Sequence, residues 1–475
     1  MLRVTLWLTV ATFAGMLAGL GREWLLVADW GAGRHSDAFL VALFLPEAVR
    51  TMLAGGILSA AALPLWQETA LAYRAGWLAG QIRHWVLFGF CLSGLVMVLA
   101  PWLVDLVGPG LLAVDRSMAV RVLWWLALVL PGLVLQAVLS VPMQAIGRYV
   151  LPGLGSLLYN LPPVFYLWWS GKHADSVALA QMFVLGSIAM SAVLLPANWK
   201  LGWRPWLPGH AGANLRIWQR VWPLLASSGA SQGLALLERL VASLLGEGMV
   251  TVVNLARKLA NVPLLGLMGL NQVLLGKMSA EALHHRRRSL EQGLFASTVL
   301  TLPAAAWLIG AAPALVMLLL PSGLRHTPLA LLLGLFSVSI VFGSWNALLA
   351  RYYYAAGDTH TPLRCELQGS VMQAIVLLLS FRVIGVAGIA GAVMCGVLTT
   401  AILLILRLDR RLLADLGRLS GLAVLLCAVS AYWLFGWTGH GPWWQVVAAS
   451  LYAGGLLAGF VVVFRRQGVG TQKTG

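Results

Sequence analysis

Apolar stretches long enough to cross a bilayer recur along almost the whole chain, and they constrain everything else. A spanning helix needs about 20 consecutive apolar residues. Such stretches fall near residues 4–28, 37–64, 84–106, 119–143, 150–170, 175–197, 217–245, 248–276, 292–320, 327–354, 361–383, 385–407, 414–436 and 443–464. That is roughly fourteen, joined by connections too short for a soluble domain. With 60% hydrophobic and 10% charged residues, a water-soluble globular protein is excluded. The first apolar run lacks a small-residue cleavage site and leads into Gly21-Arg22-Glu23, so it reads as a retained helix and not a removed signal. The expected class is an all-α integral membrane protein of about 14 transmembrane helices.

The chain carries 32 Lys and Arg against 16 Asp and Glu, a formal charge of +16. About two thirds of the basic residues fall in alternate connections, among them Arg74, Arg83, Lys200, Arg204, Lys277, Arg410 and Arg411. That bias puts both termini in the cytoplasm and accounts for most of the charge as orientation. The run His284-His285-Arg286-Arg287-Arg288 suits anionic lipid head groups, but the loop is too short to be a nucleic-acid-binding module, so no nucleic acid partner is expected.

Several chemistries drop out. Cys91, Cys365, Cys395 and Cys427 form no CxxC pair, and the nine His residues form no HExxH or paired-ligand motif, so no metal is expected. The Gly-rich stretches at Gly31-Ala32-Gly33 and Gly108-Pro109-Gly110 lack a strand-to-helix context, and no GKS or GKT occurs, which argues against ATP hydrolysis. The 22 Trp fall mostly near span ends, as an interfacial aromatic belt requires.

A weak repeat runs through the chain. Gln144-Ala145-Ile146-Gly147 with Pro152 recurs as Tyr354-Ala355-Ala356-Gly357 with Pro362, after the fourth and tenth spans. Six spans per unit return the chain to the same side, so the units are expected to be parallel repeats about a pseudo-twofold axis along the membrane normal. The expected organisation is an N-lobe over 1–200 (spans 1–6), a C-lobe over 201–410 (spans 7–12), and spans 13–14 with a short cytoplasmic tail over 411–475.

Charges inside the spans point to function. A charge at mid-bilayer costs at least about 2.5–3.5 kcal/mol on insertion scales and persists mainly when it faces protein or a wet cavity. Arg22, Glu23, Asp37, Glu47 and Arg50 lie in the first two spans, and Glu238, Arg239, Arg257 and Lys258 in the seventh and eighth. One reading pairs them off as packing contacts. The other sets them around a central cavity whose excess cations hold an anion. Arg forks suit phosphate oxygens, which makes a phosphate or pyrophosphate ligand the expectation.

Gly19-Leu20-Gly21-Arg22-Glu23, followed by Gly31-Ala32-Gly33, Ser36-Asp37-Ala38-Phe39, Leu45-Pro46, Arg50 and Ser59 to Pro64, resembles the opening of the MurJ (MviN) lipid II flippases. Leu237-Glu238-Arg239, Asn254-Leu255-Ala256-Arg257-Lys258-Leu259 with Pro263, and Tyr354-Ala355-Ala356-Gly357-Asp358-Thr359 with Thr361-Pro362 resemble later blocks of that family. The resemblance implies a two-lobed, fourteen-helix transporter of the multidrug/oligosaccharidyl-lipid/polysaccharide flippase superfamily. It would move an undecaprenyl-pyrophosphate-linked saccharide, lipid II above all, from cytoplasmic to periplasmic leaflet of the bacterial inner membrane by alternating access. Arg22, Arg50 and Lys258 would hold the pyrophosphate with Asp37 in support, and Arg239 and Arg257 complete the candidate binding set.

Met16, Gly55, Arg257 and Lys258 depart from the family pattern, and Lys cannot reproduce a bidentate Arg contact. An exopolysaccharide or O-antigen unit is therefore the alternative cargo. No cofactor is expected. Coupling to the membrane potential or to a monovalent cation is, with Glu238, Gln373, Thr399 and Thr400 as candidate ion ligands, although Leu377 stands where the family places another ligand. The expected partners are the lipid-linked saccharide, membrane lipids and cell-envelope biosynthesis enzymes, with the carrier itself a monomer. A membrane polymerase or ligase would carry a long external loop with catalytic residues, and none stands out, so the chain reads as a transporter and not an enzyme.

Overall fold

The computed structural model describes residues 2–54, 56–209, 214–263, 283–320, 327–356, 360–408 and 441–470, with 325, 358 and 429. Among these, all regular secondary structure is helical, and nine segments are long and apolar enough to cross a membrane. The expected span at 414–436, most of the second half of 248–276, and Gly55, Lys277, Gly357, Thr359 and Cys427 lie outside the described residues. The chain divides into two compact units, Met1–Thr251 and Val252–Gly475.

In the first unit the helices are α1 (Leu2–Trp30), α2 (Arg34–Ala54), α3 (Ile57–Glu68), α4 (Arg74–Val107), α5 (Ala113–Ala127), α6 (Val129–Ala145), α7 (Val150–Gly153), α8 (Gly155–Ser170), α9 (Ser176–Ala192), α10 (Leu195–Lys200) and α11 (Asn214–Leu244), with α12 (Met249–Ala260) beginning at its end. Several spans expected to be continuous are broken, and each break has a local cause. The stretch 37–64 divides at Gly56, whose φ of 82° is left-handed and open chiefly to glycine. The stretch 119–143 divides at Leu128. Pro131 has no N–H to give the carbonyl of Ala127, and the Ser93 hydroxyl of α4 donates to that carbonyl at 2.7 Å instead. Gly89, where a Cβ would come 2.8 Å from the Cα of Pro131, lets α4 close over the break.

The stretch 150–170 interrupts at Leu154, between two glycines of low helix propensity. The stretch 175–197 interrupts before α10, where Pro196 cannot bond to Ala192. The eighth span's helix ends at Ala260, because Pro263 has no N–H to continue the ladder. The core of this unit gathers Trp66, Trp77, Trp85 and Trp203 with Val134, Val138 and Ile217, so these four tryptophans belong to the interior and not to an interfacial belt.

The second unit continues with α13 (Leu283–Leu319), α14 (Leu329–Ala355), α15 (His360–Ile384), α16 (Val386–Leu408) and α17 (Pro442–Gly470). Helices α15 and α16 form a hairpin through Gly385, φ 62°. Their closest approach is at Gly369, where a Cβ would fall 2.0 Å from the Thr400 hydroxyl, and at Gly396, where it would fall 2.7 Å from Gln373 Cβ. Among the described residues, the fully buried polar side chains of this unit are Ser, Thr and Gln. Ser297 donates to Ser344 at 2.7 Å, Trp345 Nε1 to Thr298 at 2.8 Å, and Tyr353 Oη to the Leu404 carbonyl at 2.9 Å. Gln445 of α17 donates to the Gly310 carbonyl of α13 at 3.0 Å.

Candidate functional site

Two small residues bring the first charge to its place. Gly15 and Gly19, four apart on α1, face Ser156 and Asn160, four apart on α8; a Cβ at Gly15 would lie 2.8 Å from Ser156 Cβ. Small residues at this spacing let two membrane helices approach closely. One turn further along α1, Arg22 then meets Asn160, and its Nη1 donates to Oδ1 at 2.7 Å. Asn160 is itself oriented by a 2.7 Å bond from Nδ2 to the Ser156 carbonyl.

Arg22 is 1% exposed, and its second amino group is shared between two carboxylates, Glu23 at 2.6 Å and Glu47 of α2 at 2.9 Å. The Phe183 ring of α9 lies 4.8 Å from its Cζ, closing that side with an aromatic face. Arg50, one turn on from Glu47, approaches the same carboxylate at 3.9 Å, and its Cζ sits 5.3 Å from the Tyr159 ring. The network Arg22, Glu23, Glu47 and Arg50 is therefore charge-balanced. The two cations are unequal within it: Arg22 is enclosed, whereas the Arg50 side chain is 23% exposed.

Arg50 also borders a partly open cavity of about 300 Å3 between α1, α2, α3, α6, α7, α8 and α9, lined by Gln136, Ser140, Gln144, Ser156 and Tyr159 among others. The position of Tyr159 follows from α8. Pro163 leaves the Tyr159 carbonyl without its intrahelical donor, and α9 comes up against that carbonyl at Gly186, where a Cβ would lie only 2.4 Å from it.

Asp37 belongs to a second cluster. At 3% exposure it accepts from the Gly248 amide at 2.7 Å, the Thr251 amide at 2.8 Å and the Thr251 hydroxyl at 2.6 Å. The two amides belong to the residue before α12 and to its first turn, so Asp37 caps that turn from another helix and meets the positive end of its dipole. Nearby, Arg34 and Glu247 pair at 2.8 Å. Arg239 of α11 donates to the Leu40 carbonyl of α2 at 2.6 Å and lies 4.8 Å from the Phe44 ring, and Glu238 beside it is buried.

The remaining candidates lie in the second unit. Arg257 and Lys258 occupy the last turn of α12, where cations suit the helix dipole, and Arg257 Cζ is 5.5 Å from the Phe336 ring. At the α15–α16 crossing Gln373 faces Gly396 and Thr400 faces Gly369. The hydroxyls of Thr399 and Thr400 donate to the Cys395 and Gly396 carbonyls at 2.7 and 3.1 Å, and Leu377 is fully buried on α15.

The charge pattern alone missed Asn160, Phe183, Tyr159 and the Gln136-Ser140-Gln144 stripe. The stripe has a readable signal: three polar residues at i, i+4 and i+8 on one face of a helix that is otherwise almost wholly apolar.

The profile of the family "Lipid II flippase MurJ" matches residues 27–451. The chain belongs to the MurJ family. A probable lipid II flippase MurJ of Thermotoga maritima is 25% identical over 415 residues, covering 86% of this chain and 85% of that protein. The lipid II flippase MurJ of Burkholderia cenocepacia is 25% identical over 437 residues, covering 85% and 83%. A MurJ structure in an inward closed conformation superposes with a TM-score of 0.82 at 19% identity, over 97% of this chain and 99% of that one. An inward-facing multidrug resistance MATE transporter of the MOP superfamily gives 0.68 at 14% identity, over 84% and 96%. MurJ and MATE chains thus share the fold seen here, and the chain is a multi-pass membrane protein.

Proposed function

We propose that this protein is a lipid II flippase, carrying the undecaprenyl-pyrophosphate-linked peptidoglycan precursor from the cytoplasmic to the periplasmic leaflet of the bacterial inner membrane. Membership of the MurJ family and relatives named lipid II flippase support the cargo, and they do not favour an exopolysaccharide or O-antigen unit. The reaction makes and breaks no covalent bond, so the chain acts as a transporter and not as an enzyme.

The observation that carries the mechanism is Arg50, a cation inside the membrane that is only loosely neutralised and borders a cavity. Arg50 contacts the pyrophosphate. Arg22, tied to Glu47, sets the carboxylate against which Arg50 is held, and Arg257 and Lys258 contribute cations from α12. Asp37, by capping the first turn of α12, couples that helix to α2. Both termini are cytoplasmic, following the bias of basic residues. The N-lobe (1–200) and C-lobe (201–410) rock to alternate access, driven by the membrane potential or by a monovalent cation at Glu238, Gln373, Thr399 and Thr400. The carrier works as a monomer and takes its substrate from cell-envelope biosynthesis enzymes.

The test is rescue of growth and of leaflet transfer of lipid II in cells depleted of their own flippase. The chain is expected to rescue, and Arg50→Gln to fail while reaching the membrane in normal amount. Full transport by Arg50→Gln would remove the proposed contact.

A further inference from the structure

Buried amide and hydroxyl groups inside a membrane protein are costly unless something accepts their hydrogen bonds. The stripe Gln136, Ser140 and Gln144 runs down one face of α6 and lines the 300 Å3 cavity that Arg50 borders. Gln136 is positioned with care. Its Nε2 lies 3.4 Å from the Pro152 carbonyl, and the absence of a Cβ at Gly155 makes room for it, since one there would sit 2.9 Å from that nitrogen. Across the cavity are Ser156 and Tyr159 of α8. Tyr159 is fully buried, and its Oη and the Nε of Arg50 have no hydrogen-bond partner among the described residues. An unsatisfied buried polar group costs about 1–3 kcal/mol, so two bordering one cavity that a polar stripe also lines mark a place where a ligand supplies what the protein withholds.

The lining sets the ligand's chemistry. Among the described residues no carboxylate lines this cavity, which disfavours a cation; its one charge is Arg50, and the rest are neutral groups that both give and take hydrogen bonds, with Tyr149 and Tyr159 as aromatic faces. That set fits a neutral polyhydroxylated ring attached to a phosphate. The volume is at the low end of small-molecule pockets, about 300–1,000 Å3, enough for one ring and too small for a disaccharide bearing a peptide.

We propose that this cavity is a subsite for the single sugar ring bonded directly to the pyrophosphate, and that Gln136 and Gln144 determine specificity for it. The inference rests on the lipid-linked saccharide reading above and adds where the first sugar goes: into the first unit, beside Arg50.

The experiment measures binding of two lipids to the full-length protein in nanodiscs: lipid II, and undecaprenyl pyrophosphate, which has the same anchor and pyrophosphate but no sugar. The parent is expected to bind lipid II about tenfold more tightly, the worth of one or two hydrogen bonds. Gln136→Leu and Gln144→Leu are expected to erase that preference while leaving undecaprenyl pyrophosphate binding unchanged; Arg50→Gln is expected to weaken both. If Gln136→Leu fails to fold, Gln144→Leu, one residue from the end of α6, carries the test. A preference retained by the glutamine variants at parental melting temperature overturns the subsite, as does an equal loss for both lipids or a parent with no preference. A parent that binds neither lipid overturns the lipid-linked saccharide reading, and the subsite falls with it.

Discussion

The two units handle interior polarity by different means. Among the described residues, the fully buried charged side chains, Arg22, Glu23, Asp37 and Glu238, all belong to Met1–Thr251. The buried polar groups of Val252–Gly475 are Ser289, Ser297, Thr298, Thr301, Ser337, Ser344, Gln373, Thr400 and Gln445, none of them charged. A hydroxyl returned to the carbonyl four residues back, as Thr298 does to Leu294 at 2.7 Å, costs little in hydrocarbon. An ion costs several kcal/mol and holds only while its partners stay in place. Among the described residues of two halves read as repeats in the sequence, the fully buried ions thus fall in the first unit, whereas in the second the fully buried polar groups are neutral and the cations Arg257, Lys258 and Arg351 lie on partly buried side chains.

The strongest way to break this comparison is to remove the central ion. Arg22→Met takes the closest cation from buried Glu23 and leaves Glu47 only Arg50 at 3.9 Å, and a loss of about 3–5 kcal/mol is expected, read as a large fall in melting temperature of the purified protein. Arg50→Gln is expected to keep the parental melting temperature and lose transport, separating the structural cation from the working one. Asp37→Ala withdraws one carboxylate from three donors; a loss of about 1–3 kcal/mol is expected, with Asp37→Asn recovering part of it.

On the neutral side the expected effects shrink. Gly396→Ala pushes a methyl into Gln373 at the α15–α16 crossing and is expected to cost about 1–3 kcal/mol. Ser297→Ala, which removes one hydroxyl from a pair, is expected to cost about 0.5–1.5 kcal/mol, and a loss as large as that of Arg22→Met would erase the distinction between the units.

The smallest effect lies at Asp358, in the connection before α15. It accepts from the Thr361 and His360 amides, each at 3.0 Å, and hydrogen bonding by Thr361 holds its carboxyl below the usual carboxylate range. A depressed pKa stabilises the fold above the unfolded value and loses that contribution as pH falls through the folded one. Asp358→Ala is therefore expected to melt slightly below the parent at neutral pH and together with it in strong acid.

Much of this was legible in the sequence. Apolar length gave the helical membrane class, and the cost of a charge in hydrocarbon singled out Arg22, Glu47, Arg50 and Asp37 before any geometry. What composition could not convey is how charges are shared. Arg22 and Arg50 look alike in sequence, and only the arrival of Asn160 and Phe183 from distant helices makes one enclosed and the other accessible. Broken spans were hidden for a related reason. A window average does not register that Pro131 silences one carbonyl bond or that Gly56 admits a left-handed residue, yet both decide where a helix stops. The cap that Asp37 places on α12 was not legible, because its partners include the amides of Gly248 and Thr251, backbone groups that leave no trace in side-chain chemistry.

Ser93 and Pro131 have linked fates. The hydroxyl of one answers the carbonyl that the other leaves unserved. A proline entering position 131 of a chain with alanine at 93 would strand the Ala127 carbonyl in the membrane, whereas a serine at 93 ahead of the proline costs little, its hydroxyl already having the Gly89 carbonyl at 2.9 Å to bond to. The two residues are thus coupled: losing the serine while the proline stays takes this donor from the Ala127 carbonyl, at about 1–3 kcal/mol, whereas losing the proline first restores an N–H at position 131.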